Sequence, residues 1–484
     1  MANDFDVPQN GAQSSGDSSF SLRVLQKTFY EPFISKSSKR RIEDPIRALL
    51  PLEDSRPGLI SLLAGKPNAD TFPITSLHFT LRDPVSNEEV PVALTEAELA
   101  RSLQYSASKG IPELLDWLIG LQEYSHGRKR DEGWDLTFGT GSSDLIYKAV
   151  NALLNPGDVA LIEAPVYAGV IPVFHATGCE MIEVGQDQCG IDTQGLKEML
   201  DNWPRDKPKP KVLYTVPVRP CLTRHSLTVD CGPTLMHDGT RRQYGANPTG
   251  VTSTLERRLE VFELARKHNF LILEDDPYYY LYFGSALRPP SYFTLERDQP
   301  EVGRVIRFDS LSKVLSAGMR IGFLSAPQAI IDAVLLHTMN SNLQAPTFTQ
   351  VLSLRLLEFW GYEKLRAHTD RVAEFYRAKR DVFERLMHKH LDGLAEWDTP
   401  EAGMFFWFKL QLGNTGTEGD SEAIIRTKAL ENGVLALPGT IFLPSGRKTT
   451  YVRASFSLLP EDQVDEALRR LREVILKARE EPSV

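Results

Sequence analysis

The chain has 484 residues, too many for one simple core, so two domains are expected. Its 42% hydrophobic and 25% charged residues are ordinary for a soluble globular protein, and a formal net charge of −9 argues against nucleic acid as a partner. The four cysteines (Cys179, Cys189, Cys221 and Cys231) show no C-x-x-C spacing and are too few for a disulfide framework, which excludes the disulfide-rich secreted class.

The N-terminal run "MANDFDVPQNGAQSSGDSSF" is polar and acidic, without the apolar stretch of a signal peptide or the Arg-rich character of a transit peptide. Residues 1–32 are read as a disordered tail, and the location as cytoplasmic. No run approaches ~18 consecutive apolar residues, so no membrane span or membrane partner is expected. From Thr137 onward, apolar runs alternate with helical patterns. "DVALIEAP", "KVLYTVP", "NFLILEDDP" and "RVIRFDSLS" read as buried strands, with amphipathic helices such as "SSDLIYKAVNALLNPGD" and "STLERRLEVFELARKHNF" between them. This alternation predicts an α/β fold over 97–351, a three-layer, mostly parallel sheet with helices on both faces. After Thr347 the pattern changes. A long helix over Phe348–Leu391, broken near Gly361, is followed by a strand ("GMFFWFKL"), a helix ("EAIIRTKALENGV"), a strand ("YVRASFSL") and a closing helix. Residues 352–484, with 33–96, are expected to form a smaller α+β domain.

In an open α/β sheet, ligands sit at the C-terminal ends of the strands. Here those ends carry Glu274, Asp275 and Asp276, followed by Tyr278, and then Ser310, Ser312 and Lys313, with Arg320 seven residues on. "TFGTGSSDL" brings Ser142 and Ser143 to a helix N-terminus, a ready anion site. Tyr167 and Asn247 end two further segments. Taken singly, each has a plain structural reading, because lysines after strands are usually solvated and aspartates often cap helices. "GTGSSD" lacks the third glycine of a dinucleotide fingerprint, no metal-ligand spacing occurs, and no G-x-S-x-G elbow is present. Together, a lysine, a carboxylate, a phenol, an amide, an aromatic platform and an anion cradle match the needs of pyridoxal 5′-phosphate.

At this point the sequence resembles a known family. "SLSKVLSAGMRIG", "EDDPYYYL", "NPTG", "ISLLAGKPNADTFP", "LQYSASKGIPELLDWL", "PEAGMFFW" and "YVRASFS" look like motifs of the class I (fold type I) pyridoxal-phosphate aminotransferases. They are most similar to the kynurenine/2-aminoadipate aminotransferases and the fungal aromatic-amino-acid aminotransferases. The resemblance runs from about Ser35 to about Leu476 and is interrupted at 218–243. It implies transfer of an amino group from an aromatic, kynurenine-like or 2-aminoadipate-like amino acid to a 2-oxo acid such as 2-oxoglutarate. Lys313 would form the Schiff base and carry the proton between Cα and C4′. Asp275 would pair with the pyridine nitrogen, Tyr278 and Asn247 with the 3′ oxygen, and Tyr167 would stack on the ring. Ser142, Ser143, Ser310 and Arg320 would hold the phosphate, with Tyr105 reaching it from the partner subunit of a homodimer with shared active sites. Arg453 would grip the substrate α-carboxylate, with Arg47 and Gly65 near the substrate and Asn247 touching it as well. Relatives often carry Gln where this chain has Ser143, which makes that phosphate contact shorter and weaker.

Three other readings compete. A β-lyase or synthase would use the same lysine and aspartate. A ligand-sensing transcription regulator would need a basic DNA-binding head, and only a short acidic tail precedes "FISKSSKRRIEDPIR". An inactive homologue is the third, raised by the irregular insertion at 218–243. That run has no apolar period, and deleting it restores the family spacing as "YTVPYGANPTG". Val codons begin GT and Gln can be encoded CAG, so a retained intron is favoured over a genuine loop. A loop lengthened from about 4 to about 30 residues would cost only about 2 kcal/mol of closure entropy, so the fold tolerates either. On the intron reading the chain folds with this run disordered and binds cofactor weakly. Sequencing the transcript distinguishes the two.

Overall fold

A computed structural model of the chain describes residues 23–52, 55–63, 65–187, 190–217, 253–285, 288–412 and 419–480. Asn247, the run 218–243 and most of the N-terminal tail lie outside the described residues.

An antiparallel hairpin, β1 (His78–Arg82) with β2 (Glu89–Ala93), precedes the main sheet. That sheet is built from β3 (Asp135–Thr140), β4 (Val159–Glu163) and β5 (Glu180–Val184). After a small hairpin, β6 (Gln186–Asp187) with β7 (Gly190–Ile191), come β8 (Pro210–Thr215), β9 (Leu271–Asp275), β10 (Val305–Ser310) and β11 (Ile321–Ala326). The order across the sheet is β3-β11-β10-β9-β8-β4-β5. Neighbours pair in parallel except at β11, which runs antiparallel to both β10 and β3. Every residue of β4, β9, β10 and β11 is buried, as expected of strands covered by helices on both faces.

Local signals fix the helices around the sheet. Pro112 starts the helix Pro112–His126, and Gly127 ends it at φ 64°, a left-handed conformation that glycine adopts without strain. Thr254 caps Leu255–His268 by accepting from Arg257 N, and Thr95 with Glu98 forms a capping box on Glu96–Ser102. The long helical stretch Thr347–Leu391 is interrupted at Gly361 (φ 60°, ψ −176°), where the sequence placed the break.

The smaller sheet is antiparallel throughout. Its strands are β12 (Ala395–Trp397), β13 (Phe405–Leu410), β14 (Leu437–Pro438) and β15 (Tyr451–Ser455), in the order β12-β13-β15-β14. It shares a second core with the long helix and the closing helix Glu461–Glu480, in which Phe383 stacks on Phe406 with ring centroids 5.2 Å apart. Backbone bonds tie it to the main sheet's loops, among them Val166 N to Phe442 O (2.8 Å), Phe283 N to Glu401 O (3.0 Å) and Gly403 N to Leu281 O (3.2 Å). Near the N-terminus, Ser35 N donates to Ala152 O (2.7 Å) and Lys36 N to Asn155 Oδ1 (2.7 Å), at the end of the helix Ser142–Leu153.

Gly322 on β11 lets the strand pass close to that helix's N-terminus. A Cβ there would lie 2.4 Å from Gly141 C and 2.5 Å from Ser142 N, both backbone atoms that cannot rotate away. Gly322→Ala is therefore expected to destabilise the fold by about 1–3 kcal/mol, the cost of overpacking a tight interior. Urea unfolding checks this, and an unchanged midpoint would show that the helix can shift freely.

Candidate active site

The C-terminal edge of the main sheet gathers the polar residues, and strand alternation sorts them onto two faces. Arg307 is paired with Glu274 in the β9–β10 register, and Phe308 with Asp275. Arg307, Glu274, Asp276 and Asp309 therefore share one face, while Asp275 lies on the other. On the first face, the buried Arg307 guanidinium binds Asp309 through Nε and Nη2 (2.8 Å for Nη2 to Oδ1). Its Nη1 meets Glu274 at 3.2 Å and Asp276 at 3.5 Å. Gln122 Nε2 donates to Asp309 Oδ2 (2.7 Å) and to Ser325 Oγ (2.9 Å), while Glu274 accepts the backbone N–H groups of Tyr292 and Phe293.

On the second face, Asp275 is buried. Its Oδ2 accepts the Tyr214 hydroxyl at 2.6 Å, and its Oδ1 has no hydrogen-bond partner among the described residues. Burial pushes this carboxyl up to about 7. The Tyr214 hydrogen bond and the Arg307 charge pull it down, while Asp276 and Asp309 push it up. A buried carboxylate oxygen without a partner is costly unless a ligand donor meets it.

Beyond β10, Ser310 Oγ accepts Ser312 N (3.2 Å), and the half-buried Lys313 follows. Burial lowers the Lys313 pKa, and the cations of Arg320 and Arg453 lower it further. A larger share of its amine is therefore neutral and able to act as nucleophile or base. Arg320 adopts a positive φ of 54°, and its Nη1 donates to Ser312 Oγ (3.3 Å) and Ala317 O (3.2 Å). Its guanidinium crowds Gly141, where a Cβ would lie 2.3 Å from Nη2. Gly141 caps the helix that begins with Ser142 and Ser143, so the Arg320 guanidinium lies at that helix's N-terminus, where free N–H groups and the helix dipole favour an anion.

Tyr278 and Arg453 complete the group. Burial raises the Tyr278 pKa, and the charge of Arg453 opposes this while Asp275 and Tyr167 add to it, so each of these three lies within electrostatic reach of Tyr278. The Arg453 guanidinium lies over the Phe405 ring at 3.9 Å and the Phe442 ring at 4.9 Å, and burial lowers its pKa. Three further expected residues have surroundings of their own. Arg47 donates to Ser106 O (2.9 Å), Ser108 Oγ (3.1 Å) and Gln344 Oε1 (2.8 Å). Tyr105 is 56% exposed, and a Cβ on Gly65 would have open space around it. Sequence reading missed Tyr214, Arg307, Asp309 and Gln122 as site residues. A tyrosine, an arginine and an aspartate inside otherwise apolar strands were the available signal.

The sequence model described as "Aminotransferase class I and II" matches residues 83–218 and 245–471, and the break between them falls on the irregular run. The chain is 42% identical over 443 residues to "Aminotransferase tdiD" of Emericella nidulans, spanning 91% of this chain and 94% of that protein. It is 38% identical to the mitochondrial kynurenine/alpha-aminoadipate aminotransferase of Rattus norvegicus, over 92% of this chain and 99% of that one. Among solved structures, the Pyrococcus horikoshii kynurenine aminotransferase in complex with PMP, KYN and KYA superposes with a TM-score of 0.67 at 27% identity, covering 92% and 98% of the two chains. Aro9 from Candida albicans superposes at 0.75 with 26% identity, covering 93% and 98%.

Proposed function

Because the chain belongs to the class I and II aminotransferases, we propose that it moves the amino group of an aromatic, kynurenine-like or 2-aminoadipate-like amino acid to a 2-oxo acid such as 2-oxoglutarate, with pyridoxal 5′-phosphate as cofactor. The observation that carries this reading is Asp275, a buried carboxylate with one oxygen that has no partner among the described residues, at the same sheet edge as Lys313 and the Arg320 corner. When bound, the cofactor supplies an electron-withdrawing ring that makes the substrate Cα–H acidic.

The chain's own residues do the rest. Asp275 Oδ1 would accept the ring N–H and keep the proton there. Arg320, Ser142, Ser143 and Ser310 would hold the phosphate, Tyr278 would donate to the ring's phenolic oxygen, and Tyr167 would supply an aromatic face for the ring. Asn247 joins Tyr278 in this reading, though it lies outside the described residues. Lys313 accepts and returns the proton at the substrate Cα. Arg453 binds the α-carboxylate in a two-pronged geometry, and its seat between Phe405 and Phe442 suits an aromatic side chain nearby.

Tyr105 belongs to the partner's site in a homodimer, and Arg47 and Gly65 to the substrate's side-chain end. The N-terminal segment exposes Ile42, Ile46, Ile60 and, at 98%, Leu62, an apolar surface that a second copy of the chain would cover. Among the described residues no helix is long and apolar enough to cross a membrane, and a cytoplasmic location is part of this reading.

Absorbance titration of the purified, cofactor-loaded protein with kynurenine, 2-aminoadipate, phenylalanine and tyrosine tests the reading. At least one of these donors is expected to convert the cofactor band, with 2-oxoglutarate restoring it. If no donor changes the spectrum, the substrate class is wrong.

A further inference from the structure

The cofactor reading above gives Asp275 its partner but leaves open what aims that carboxylate. Strand alternation limits the choice. The Arg307 guanidinium, the nearest strong donor, projects from the opposite face of the sheet, and its nitrogens are already committed to Asp309, Glu274 and Asp276. Its charge reaches Asp275 only through space. On the Asp275 face, Leu273 and Phe308 are apolar neighbours and offer no hydrogen bond. Tyr214 is different. It pairs with Leu273 in the β8–β9 register, so its side chain shares a face with Leu273 and Asp275, and its hydroxyl reaches Oδ2 at 2.6 Å. Its ring is fully buried and packed edge-on against Phe174 with centroids 5.7 Å apart, so the hydroxyl has little freedom to swing away.

Resting on the cofactor reading, we infer that Tyr214 is the positioning residue for the ring-nitrogen contact: its hydroxyl occupies Asp275 Oδ2 and leaves Oδ1 as the acceptor for the ring N–H. Tyr214 touches neither the substrate nor the cofactor in this role and acts through Asp275. Removing the phenolic oxygen would free the carboxylate to rotate and would take away a donor that favours its charged form. The loss would be felt by a ligand that presents an N–H to Asp275, and not by one that presents a C–H.

The test compares pyridoxal 5′-phosphate with 1-deazapyridoxal 5′-phosphate, in which CH replaces the ring nitrogen. Binding of each to ligand-free wild type and Tyr214→Phe is followed by absorbance titration, with thermal melting of both proteins alongside. Wild type should prefer the natural cofactor. Tyr214→Phe should bind it about tenfold more weakly, the effect of one hydrogen bond to a charged group, with binding of the deaza analogue changed by less than about twofold. Equal weakening of both ligands would mean that Tyr214 is only structural packing, and undiminished preference for the natural cofactor would mean that it does not act on Asp275. Either result overturns the inference. If wild type itself does not distinguish the two ligands, the ring-nitrogen role of Asp275 fails first, and the inference falls with it. Should Tyr214→Phe not fold, Tyr214→Met, which also lacks a donor and has an adaptable side chain, carries the same comparison.

Discussion

Lys313→Ala is expected to abolish amino transfer, lowering kcat by about four orders of magnitude, the upper end of what one positioned acid–base group contributes. The proton at the substrate Cα needs an amine that is neutral part of the time and held at the cofactor. On the proposed reading Lys313 is that amine, and burial and the Arg320 and Arg453 cations lower its pKa, which favours the neutral form. Alanine removes the nucleophile and the proton carrier together, and no neighbouring group replaces both. Binding of the cofactor should persist, because Arg320, the helix N-terminus at Ser142 and Asp275 are untouched. Single-turnover absorbance measurements check the rate. Borohydride reduction and peptide mapping of the wild type should place the pyridoxyl label on Lys313. A variant within about tenfold of the wild-type rate, or a label on another lysine, would remove Lys313 from its role.

Arg453→Lys is expected to cost about 1.5–3 kcal/mol in kcat/KM for every donor and acceptor, the range of a hydrogen bond to a charged group. All of these substrates share an α-carboxylate, and a guanidinium meets it with two parallel donors where an ammonium offers a single point of charge. The site adds a second penalty. The Arg453 guanidinium carbon lies 3.9 Å from the centre of the Phe405 ring and 4.9 Å from that of Phe442, and a shorter, differently shaped lysine head would lose part of both ring contacts. Arg47→Ala should behave differently and alter the preference among donors, because Arg47 is tied to Ser106, Ser108 and Gln344 rather than to the Arg453 group. Steady-state kinetics on a donor panel separates the two. A uniform effect from both substitutions would contradict this division.

Much of the architecture was legible in the chain itself. The apolar runs that became β4, β8, β9 and β10 each end in polar residues, and a strand covered on both faces must be continuously apolar. The break at Gly361 and the change to an α+β pattern after Thr347 were legible for the same local reason. Lys313 and Arg320 lie seven residues apart after one strand, so proximity in sequence fixed their proximity in space. Three strands of the main sheet, β3, β5 and β11, were not read as strands. β3 runs straight into a glycine turn, β5 is only partly buried, and β11 follows directly on the lysine motif, so none presented an isolated apolar run.

What the tertiary structure alone decided is which strands are neighbours, in what register and on which face. β11 enters antiparallel between β3 and β10, although β3 lies far earlier in the chain, and this brings Gly322 against Ser142. Tyr214 and Asp275 are 61 positions apart, and their hydrogen bond exists because β8 and β9 pair with Tyr214 opposite Leu273. A one-residue slip would turn Tyr214 to the Arg307 face and leave Asp275 with neither oxygen held. Composition and periodicity report how each segment is buried, because burial is a property of the segment. Pairing and register minimise the packing energy of all segments at once, so the carboxylate that is left half-satisfied for a ligand emerges only from the assembled sheet.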